Sequence, residues 1–333
     1  MKELLTLALL TAMAFGAEGY KLLSKIKVGG TGGWDYITLD PVNRRLYASH
    51  GAIVEVIDPD AGKVVGQITD LHGVHGIAVA PDLNKGFISN GQSNSVTVFD
   101  LKTLQKTGEP ATGRNPDAIC YEPKTKHVFS INHSGNDATA IDPKNNEVLK
   151  TFPVGQAPEF CVVDGAGKVY VNIEATSEIV EIDAAKNEVT RRVSLAPAEA
   201  PTGLAIDVKN KKLFSVCTRI MAVVDIPSFK VIATPAIGPG TDGGGFDPGL
   251  GLAFSANGGD GTMSIVKLVN GKYETVDTVQ TARGARTMTV DEKLHRAYLP
   301  AAEYGPAPEP KEGQKKGRPP ILPDSFGILV VGK

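Results

Sequence analysis

The chain of 333 residues is poor in several residue types, and each shortage disfavours a class of protein. It has three cysteines and one tryptophan, and aromatic residues make up only 6% of it. So few cysteines, in an odd number, disfavour a fold that depends on a disulfide framework. The sequence also lacks a paired-cysteine metal motif, a glycine loop leading from a strand into a helix, a nucleophile elbow and a haem-attachment motif. The enzyme classes that these motifs mark are therefore not indicated.

Charge of one sign and long apolar runs are also scarce. The formal net charge is −2 and the lysines are interspersed with acids, which leaves nucleic acid as a minor candidate partner. The longest apolar run, Leu4 to Phe15, has 12 residues and is too short to span a bilayer as a helix. It is followed by small residues, so residues 1–19 are predicted to be a secretory signal peptide. The protein is therefore expected to be periplasmic or secreted and to have no transmembrane segment.

Five aspartates recur at a nearly constant spacing along the chain. They are 42, 42, 41 and 42 residues apart, and each ends a short β-branched or apolar run. These residues are Asp58, Asp100, Asp142, Asp183 and Asp225. A period of about 40 to 45 residues that holds several short strands is typical of β-propeller blades, which stack to cover each other's faces. A pair of β-sandwiches is disfavoured because it would not repeat one marker in phase.

A second marker, an apolar segment followed by a polar turn, occurs seven times at the same period. It predicts an all-β fold, a seven-bladed β-propeller with four-stranded blades in one domain, residues 20–333. The last blade is one strand short, whereas the segment from Tyr20 to Gly29 has no blade of its own. We expect this N-terminal strand to complete the last blade beside Gly327–Val331, because that pairing removes the open edge at the seam.

The repeats resemble a known sequence family. The recurring pattern is glycine and proline before an apolar inner strand, an aspartate turn, an aromatic second strand and a strand ending in Ile-Asp, as in GRNPDAICYEPKTKHVFSIN followed by ATAIDPKNNEVLKTFPVG. This pattern is similar to the YVTN repeat, and residues 20–333 resemble the secreted, YncE-like seven-bladed propellers. The resemblance implies the fold. For function it implies ligand binding, DNA binding as in some members, or metal-dependent lactonase or lyase activity as in related propellers.

One position in each blade carries the candidate functional residues. Two residues before each inner strand, in blades one to seven, stand Asp35, His75, Asp117, Glu159, Thr202, Asp242 and Ala285. In a propeller these positions share one face around the central channel, so four carboxylates and a histidine should meet at its mouth. The proposed first shell for a cation (Ca²⁺, Mg²⁺, Mn²⁺ or Zn²⁺) or a cationic ligand group consists of Asp35, His75, Asp117, Glu159 and Asp242.

The same carboxylates have simpler interpretations. Aspartate is common at the start of turns, so turn capping with exposure to channel water is one alternative, and acid–base catalysis is another. Clustered carboxylates repel unless a cation, a basic neighbour or protonation compensates them. Arg114 and Arg286 are the basic residues expected near the mouth, and both are candidate ligand-binding residues.

Other residues on this face have two interpretations each. Trp34, which follows four glycines, is expected either to cover the first blade or to form a platform for a ligand. Four histidines fall in loops of this face, where their spacing imposes no metal geometry; they are His50, His72, His75 and His133. Cys120 and Cys161, on neighbouring inner strands, are expected to be packing residues without a disulfide.

The last blade contains a long proline-rich loop, Ala301 to Asp324. Its prolines predict an extended, irregular segment. Its basic residues, which would lie over an acidic mouth, are Lys311, Lys315, Lys316 and Arg318. The loop is therefore interpreted either as a lid or partner arm or as a solvated insertion.

With no dedicated catalytic motif, the leading prediction is a monomeric binding propeller that holds a small molecule or a protein at the channel-mouth face. The alternative is a metal-dependent lactonase-like or lyase-like enzyme that uses the mouth carboxylates and a histidine. A second alternative is DNA binding.

Overall fold

Twenty-eight strands form seven four-stranded antiparallel sheets arranged as the blades of a β-propeller. The structure, a computed structural model, describes residues 19–308, 317 and 319–333. The expected signal peptide, apart from Gly19, and the four basic residues of the long loop lie outside the described residues. Among the described residues the only helical element is a 3₁₀ turn at Pro81–Leu83. No helix in this part of the chain is long and apolar enough to cross a membrane.

The strands run in order from the inner to the outer edge of each blade. Strand β1 (Lys21–Lys27) opens the chain. Blade 1 holds β2 (Ile37–Asp40), β3 (Arg45–His50), β4 (Ile53–Asp58) and β5 (Lys63–Ile68). Blade 2 holds β6 (Val74–Ala80), β7 (Lys85–Asn90), β8 (Ser95–Asp100) and β9 (Lys106–Gly108). Blade 3 holds β10 (Pro116–Glu122), β11 (His127–Asn132), β12 (Asp137–Asp142) and β13 (Glu147–Pro153).

The remaining blades follow the same plan. Blade 4 holds β14 (Pro158–Val163), β15 (Lys168–Ile173), β16 (Glu178–Asp183) and β17 (Glu188–Ser194). Blade 5 holds β18 (Leu204–Asp207), β19 (Lys212–Cys217), β20 (Ile220–Asp225) and β21 (Lys230–Ala233). Blade 6 holds β22 (Thr241–Asp247), β23 (Leu252–Asn257), β24 (Thr262–Val269) and β25 (Lys272–Gln280). Blade 7 holds β26 (Thr289–Asp291), β27 (Arg296–Ala301) and β28 (Gly327–Gly332).

The N-terminal strand closes the ring, which confirms the predicted fold. Strand β1 pairs antiparallel with β28, from Lys21 opposite Gly332 to Lys27 opposite Gly327. It is the fourth strand of blade 7. One of its side chains, Ile26, is only 5% exposed and packs in the core between blades 7 and 1, whereas Leu22 is 44% exposed. The two ends of the described chain thus depend on each other through one sheet.

The recurring aspartates have a structural role in the turns from third to fourth strand. Asp58 Oδ1 accepts the backbone N–H groups of Asp60 and Ala61, at 3.0 and 2.9 Å. Asp100 does the same with Lys102 and Thr103. Because strands alternate in direction, these turns lie on the face opposite the loops that enter the inner strands. The marker that identified the blades therefore does not belong to the candidate site.

Two further features bear on the sequence expectations. Cys120, Cys161 and Cys217 are buried and not in disulfides. In the long loop of blade 7, outside the strands, the described residues include one isolated bridge, between Tyr304 and Ile321.

Candidate functional site at the channel mouth

Irregularities at the start of four inner strands place the candidate residues. In β6, β10, β14 and β22 the pairing with the second strand shifts by one residue near the first end of the strand. Such a β-bulge re-aims the side chains of the bulged residues. The residues within these shifts include His75, Asp117, Glu159 and Asp242. The fifth candidate, Asp35, lies two residues before β2.

Serine side chains from the second strands fix the bulges. Ser89 Oγ accepts the N–H of Gly76 at 2.7 Å and donates to the carbonyl oxygen of Asp117 in the next blade. In blade 1, Ser49 Oγ accepts the N–H of Asp35 at 2.8 Å. The backbone at Asp35, beside His75 and at Asp117 is therefore held by these hydrogen bonds, which reduces the reordering that ligand binding would require there.

The bulged residues meet around one cavity. A cavity of about 230 Å³ at the mouth is lined by nine residues: Asp35, Tyr36, His75, Asn115, Asp117, His133, Glu159, Asp242 and Arg286. It brings together all five residues of the predicted cation shell, and it includes Arg286. The other two residues of the seven-fold set, Thr202 and Ala285, do not line it.

His75 lies between carboxylates of two neighbouring blades. Its Nδ1 is 2.7 Å from Asp35 Oδ2 in blade 1 and 3.4 Å from Asp117 Oδ1 in blade 3. Burial alone would lower the pKa of His75, but the hydrogen bond to Asp35 and the charge of Asp117 raise it overall. The imidazole of His75 therefore holds its proton more strongly than a free imidazole does.

A second histidine lies on the other side of Asp117. His133 Nδ1 is 2.9 Å from Glu159 Oε1, and this contact raises the pKa of His133. One ligand atom each from Asp35, His75 and Asp117 lies within 4.8 Å of the others, and the same holds for Asp117, His133 and Glu159. Asp117 belongs to both groups. Its Oδ1 is buried and accepts no hydrogen bond from the described residues.

Arg286 supplies the permanent positive charge of the cavity. Its Nε donates to Asp242 Oδ2 at 2.6 Å, and its Nη2 donates to the carbonyl oxygen of Trp34 and lies 3.4 Å from Asp35 Oδ1. One guanidinium faces four carboxylates. Burial, followed by the repulsion of nearby carboxylates, raises the pKa of Asp117 well above its ordinary value and that of Asp242 to about 6.

The mouth carboxylates are not turn caps. No backbone N–H of the described residues donates to the side chain of Asp35, Asp117, Glu159 or Asp242, and the hydrogen bonds they accept come from His75 and Arg286. The capping aspartates on the opposite face differ in this respect. The interpretation of the mouth residues as turn caps is therefore not supported by their contacts.

An aromatic pair lies below the cavity. Tyr36 of blade 1 contacts Phe160 of blade 4 across the channel, with ring centroids 5.2 Å apart. Tyr36 lines the mouth cavity and Phe160 lines a separate space of about 360 Å³ between the inner strands. The two rings thus lie where the polar mouth meets the space between the inner strands.

Other expected site residues lie elsewhere. Trp34 is 6% exposed and packs against Phe326 and Tyr304, so it covers the first blade as one interpretation expected. Arg114 donates to the carbonyl oxygen of Ser134 and does not line the cavity.

Two of the four loop histidines are also absent from the cavity. His50 is buried, with Nδ1 3.3 Å from Glu55 Oε1, and His72 is exposed.

The residues that sequence reasoning did not place in the site are Tyr36, Asn115 and His133. Only His133 gave a signal, because it is a histidine in a loop of the correct face. His133 belongs to the turn between the second and third strands. The position two residues before each inner strand, from which the candidates were selected, does not include this turn.

Comparisons with known proteins bear on the fold. No family model matches the chain. A stretch of 77 residues, 22% of the chain, is 36% identical to Antigen Lp49 of Leptospira interrogans serogroup Icterohaemorrhagiae serovar copenhageni, and it spans 17% of that protein.

Two solved structures share the overall architecture. A chain of Kuenenia stuttgartiensis hydrazine synthase superposes with a TM-score of 0.71 at 17% identity, over 81% of this chain and 92% of that one. U3-55K superposes with a TM-score of 0.76 at 7% identity, over 93% of this chain and 98% of that one. At these identities the likeness shows the seven-bladed β-propeller fold.

Proposed function

We propose that this protein is a binding propeller whose channel mouth holds a divalent cation, through which it binds a small molecule or a protein. The observation that carries the proposal is the position of Asp117. It is shared by two sets of three potential ligands, and its buried Oδ1, although 3.4 Å from His75 Nδ1, accepts no hydrogen bond from the described residues. A buried carboxylate oxygen without a donor is costly, and a cation removes that cost.

The charge around the cavity supports a cation. The cavity holds four carboxylates against one guanidinium and two histidines, and the raised pKa values of Asp117 and Asp242 reflect their burial first and the repulsion between carboxylates second. A divalent cation would relieve this repulsion without protonation. Carboxylate oxygens suit Ca²⁺, Mg²⁺ and Mn²⁺, whereas the imidazoles of His75 and His133 favour Mn²⁺ or Zn²⁺. We therefore expect Mn²⁺ or Zn²⁺ to bind more tightly than Ca²⁺ or Mg²⁺.

A catalytic role is the second candidate, and one contact favours it. His133 lies beside Glu159 in the cation cavity, where an imidazole with a raised pKa can exchange a proton with a bound substrate. This arrangement supports a lactonase-like or lyase-like activity. Its test is hydrolysis of a panel of lactones by the Mn²⁺- and Zn²⁺-loaded protein, with His133→Gln as the inactive comparison.

The experiment that tests the binding proposal is metal analysis of the protein purified without chelator, followed by thermal shift with each of the four cations. We expect one bound cation per chain and an increase of the melting temperature that Asp117→Asn removes. A protein without bound metal, whose melting temperature none of the cations raises, would contradict the proposal.

We further propose that the protein is a monomeric, YncE-like propeller that is secreted or periplasmic. The YVTN-like repeats support the family, and the apolar run from Leu4 to Phe15 supports export. Mass spectrometry of the mature N-terminus after expression from the full sequence tests the export proposal. A cytoplasmic protein that still carries residues 1–19 would contradict it.

A further inference from the structure

A large groove lies beside the mouth, on the same face. It has a volume of about 1120 Å³ and lies between the loop that enters blade 7 and the long loop of that blade. This volume suits a drug-sized small molecule. Its lining includes Trp34, Arg283, Arg286, Tyr304, Ile321 and Leu322. Arg286 lines both this groove and the mouth cavity.

One wall of the groove is apolar and well ordered by packing. The rings of Trp34 and Tyr304 are 6.2 Å apart, and Ile321 packs against the same core cluster. Tyr304 covers Gly284, where the backbone has φ of +84° and any side chain would overlap the tyrosine hydroxyl. Leu322 is 39% exposed in the groove. An apolar ligand body would find a formed surface here.

The other feature of the groove is the positive charge of two arginines, of which Arg286 is already paired with Asp242 and Asp35. Arg283 is exposed and forms no ion pair with the described residues. Arg286 uses Nε and Nη2 for its bonds to Asp242, Asp35 and Trp34, which leaves Nη1 without a recorded partner in the described part of the chain. Guanidinium groups recognise carboxylates by charge-assisted hydrogen bonds.

From these contacts we infer that the groove binds a small carboxylate with an aromatic or aliphatic body. The body packs against Tyr304 and Leu322, with the buried ring of Trp34 directly behind them, and the carboxylate pairs with Arg283 and the free edge of Arg286. This inference goes beyond the cation site and does not depend on it, because the arginines are present whether or not a cation is bound. Carboxylates with an apolar body should therefore bind, whereas matched neutral or cationic compounds should bind weakly.

The single tryptophan gives a direct readout, because Trp34 lies in the groove and no other residue contributes tryptophan fluorescence. The probes are 4-phenylbutyrate, 4-phenylbutanol and 4-phenylbutylamine, which share one apolar body and differ in charge. Each is titrated against the full-length protein with fluorescence and calorimetry as readouts. We expect the acid to change the fluorescence and to bind about tenfold more tightly than the alcohol, with the amine weakest.

Two variants separate the charge from the apolar wall. Arg283→Gln should lower the affinity for the acid by about fivefold and leave the affinity for the alcohol unchanged, because the guanidinium contacts only the carboxylate. Leu322→Asp should weaken both. Lys209→Gln, which removes an equal charge from an exposed turn on the opposite face, is the control and should change neither affinity.

Chelator treatment distinguishes failure of this inference from failure of the cation site. Acid binding that persists in EDTA supports the arginine groove even if the protein holds no cation. Equal affinity for acid and alcohol, loss of acid binding in EDTA, or no binding of the acid at millimolar concentration would each overturn the inference.

Discussion

His75 Nδ1 lies 2.7 Å from Asp35 Oδ2, so a histidine of blade 2 and an aspartate of blade 1, 40 residues apart, meet at the channel mouth. Asp117 of blade 3 approaches the same nitrogen at 3.4 Å. This chain of contacts across three blades follows from the ring. Equivalent positions that are distant in sequence become neighbours when blades close around an axis.

Removal of the shared carboxylate, Asp117, should weaken cation binding. Asp117→Asn keeps the shape of the side chain but removes one negative charge, so the affinity for Mn²⁺ or Zn²⁺ should fall by about tenfold or more. Calorimetry measures the effect, and circular dichroism should show an unchanged fold. Asp82→Asn is the matched control, because Asp82 is an exposed carboxylate on the opposite face. Equal loss of affinity in both variants would point to a non-specific charge effect.

Arg286 should oppose the cation, because it occupies Asp242 and Asp35 with its own positive charge. In Arg286→Met the cavity loses that charge, and cation affinity should rise by roughly threefold to tenfold. The metal-free variant should also be less stable than the parent, because two carboxylates lose their partner. Calorimetry and thermal unfolding in EDTA measure these opposite changes. If Arg286→Met instead binds the cation more weakly than the parent, the arginine helps to bind the metal or its ligand.

The metal-free protein should lose stability as the pH rises from about 5 to about 8. Burial raises the pKa of Asp117 and that of Asp242, the latter to about 6, and the contact with Glu159 raises the pKa of His133. Each folded pKa lies above its unfolded value, so the folded state binds more protons. The stability that these protons contribute is present at low pH and disappears as the pH passes through the folded pKa values.

Thermal unfolding in EDTA over this range measures the effect. The capping carboxylates do not mask it, because hydrogen bonds from backbone N–H groups lower the pKa of Asp58 and Asp100, and their contribution changes only in more acidic solution. Saturating Mn²⁺ or Zn²⁺ should flatten or reverse the slope, because the cation replaces the protons. A melting temperature that rises with pH in EDTA would be inconsistent with the proposed repulsion.

Closure of the ring should depend on one face of β1. Ile26→Ala removes a buried side chain from the core between blades 7 and 1 and should cost about 2 to 4 kcal/mol in free energy of unfolding. Leu22→Ala, on the same strand but 44% exposed, should change stability by less than about 1 kcal/mol. Urea unfolding compares the two. Deletion of residues 20–29 should be more severe than either, and equal stability of that truncation and the parent would refute the closure.

The blades and their closure were predictable because residues at the same point of each repeat occupy equivalent places around the propeller. The aspartates that cap the turns, such as Asp58 and Asp100, recur because every blade needs the same turn. The same phase brought Asp35, His75 and Asp117 together in prediction, since one register position per blade faces the channel mouth.

The rest of the site depends on features without a periodic signal. His133 enters from the turn between second and third strands, and Tyr36 reaches across the channel to Phe160. A one-residue bulge re-aims Asp117, and no residue type marks it. Arg114 is close in sequence to the mouth position of its blade, but its guanidinium bonds to Ser134 instead. Side-chain direction within loops, unlike blade phase, is set by local packing.

The most direct test of the account is calorimetric titration of the metal-free parent protein with Mn²⁺, Zn²⁺, Ca²⁺ and Mg²⁺ at neutral pH. The account predicts saturable binding of one cation per chain, tighter for Mn²⁺ or Zn²⁺ than for the other two, and strongly weakened by Asp117→Asn. If none of the four cations binds at millimolar concentrations, the cation site at the channel mouth is contradicted.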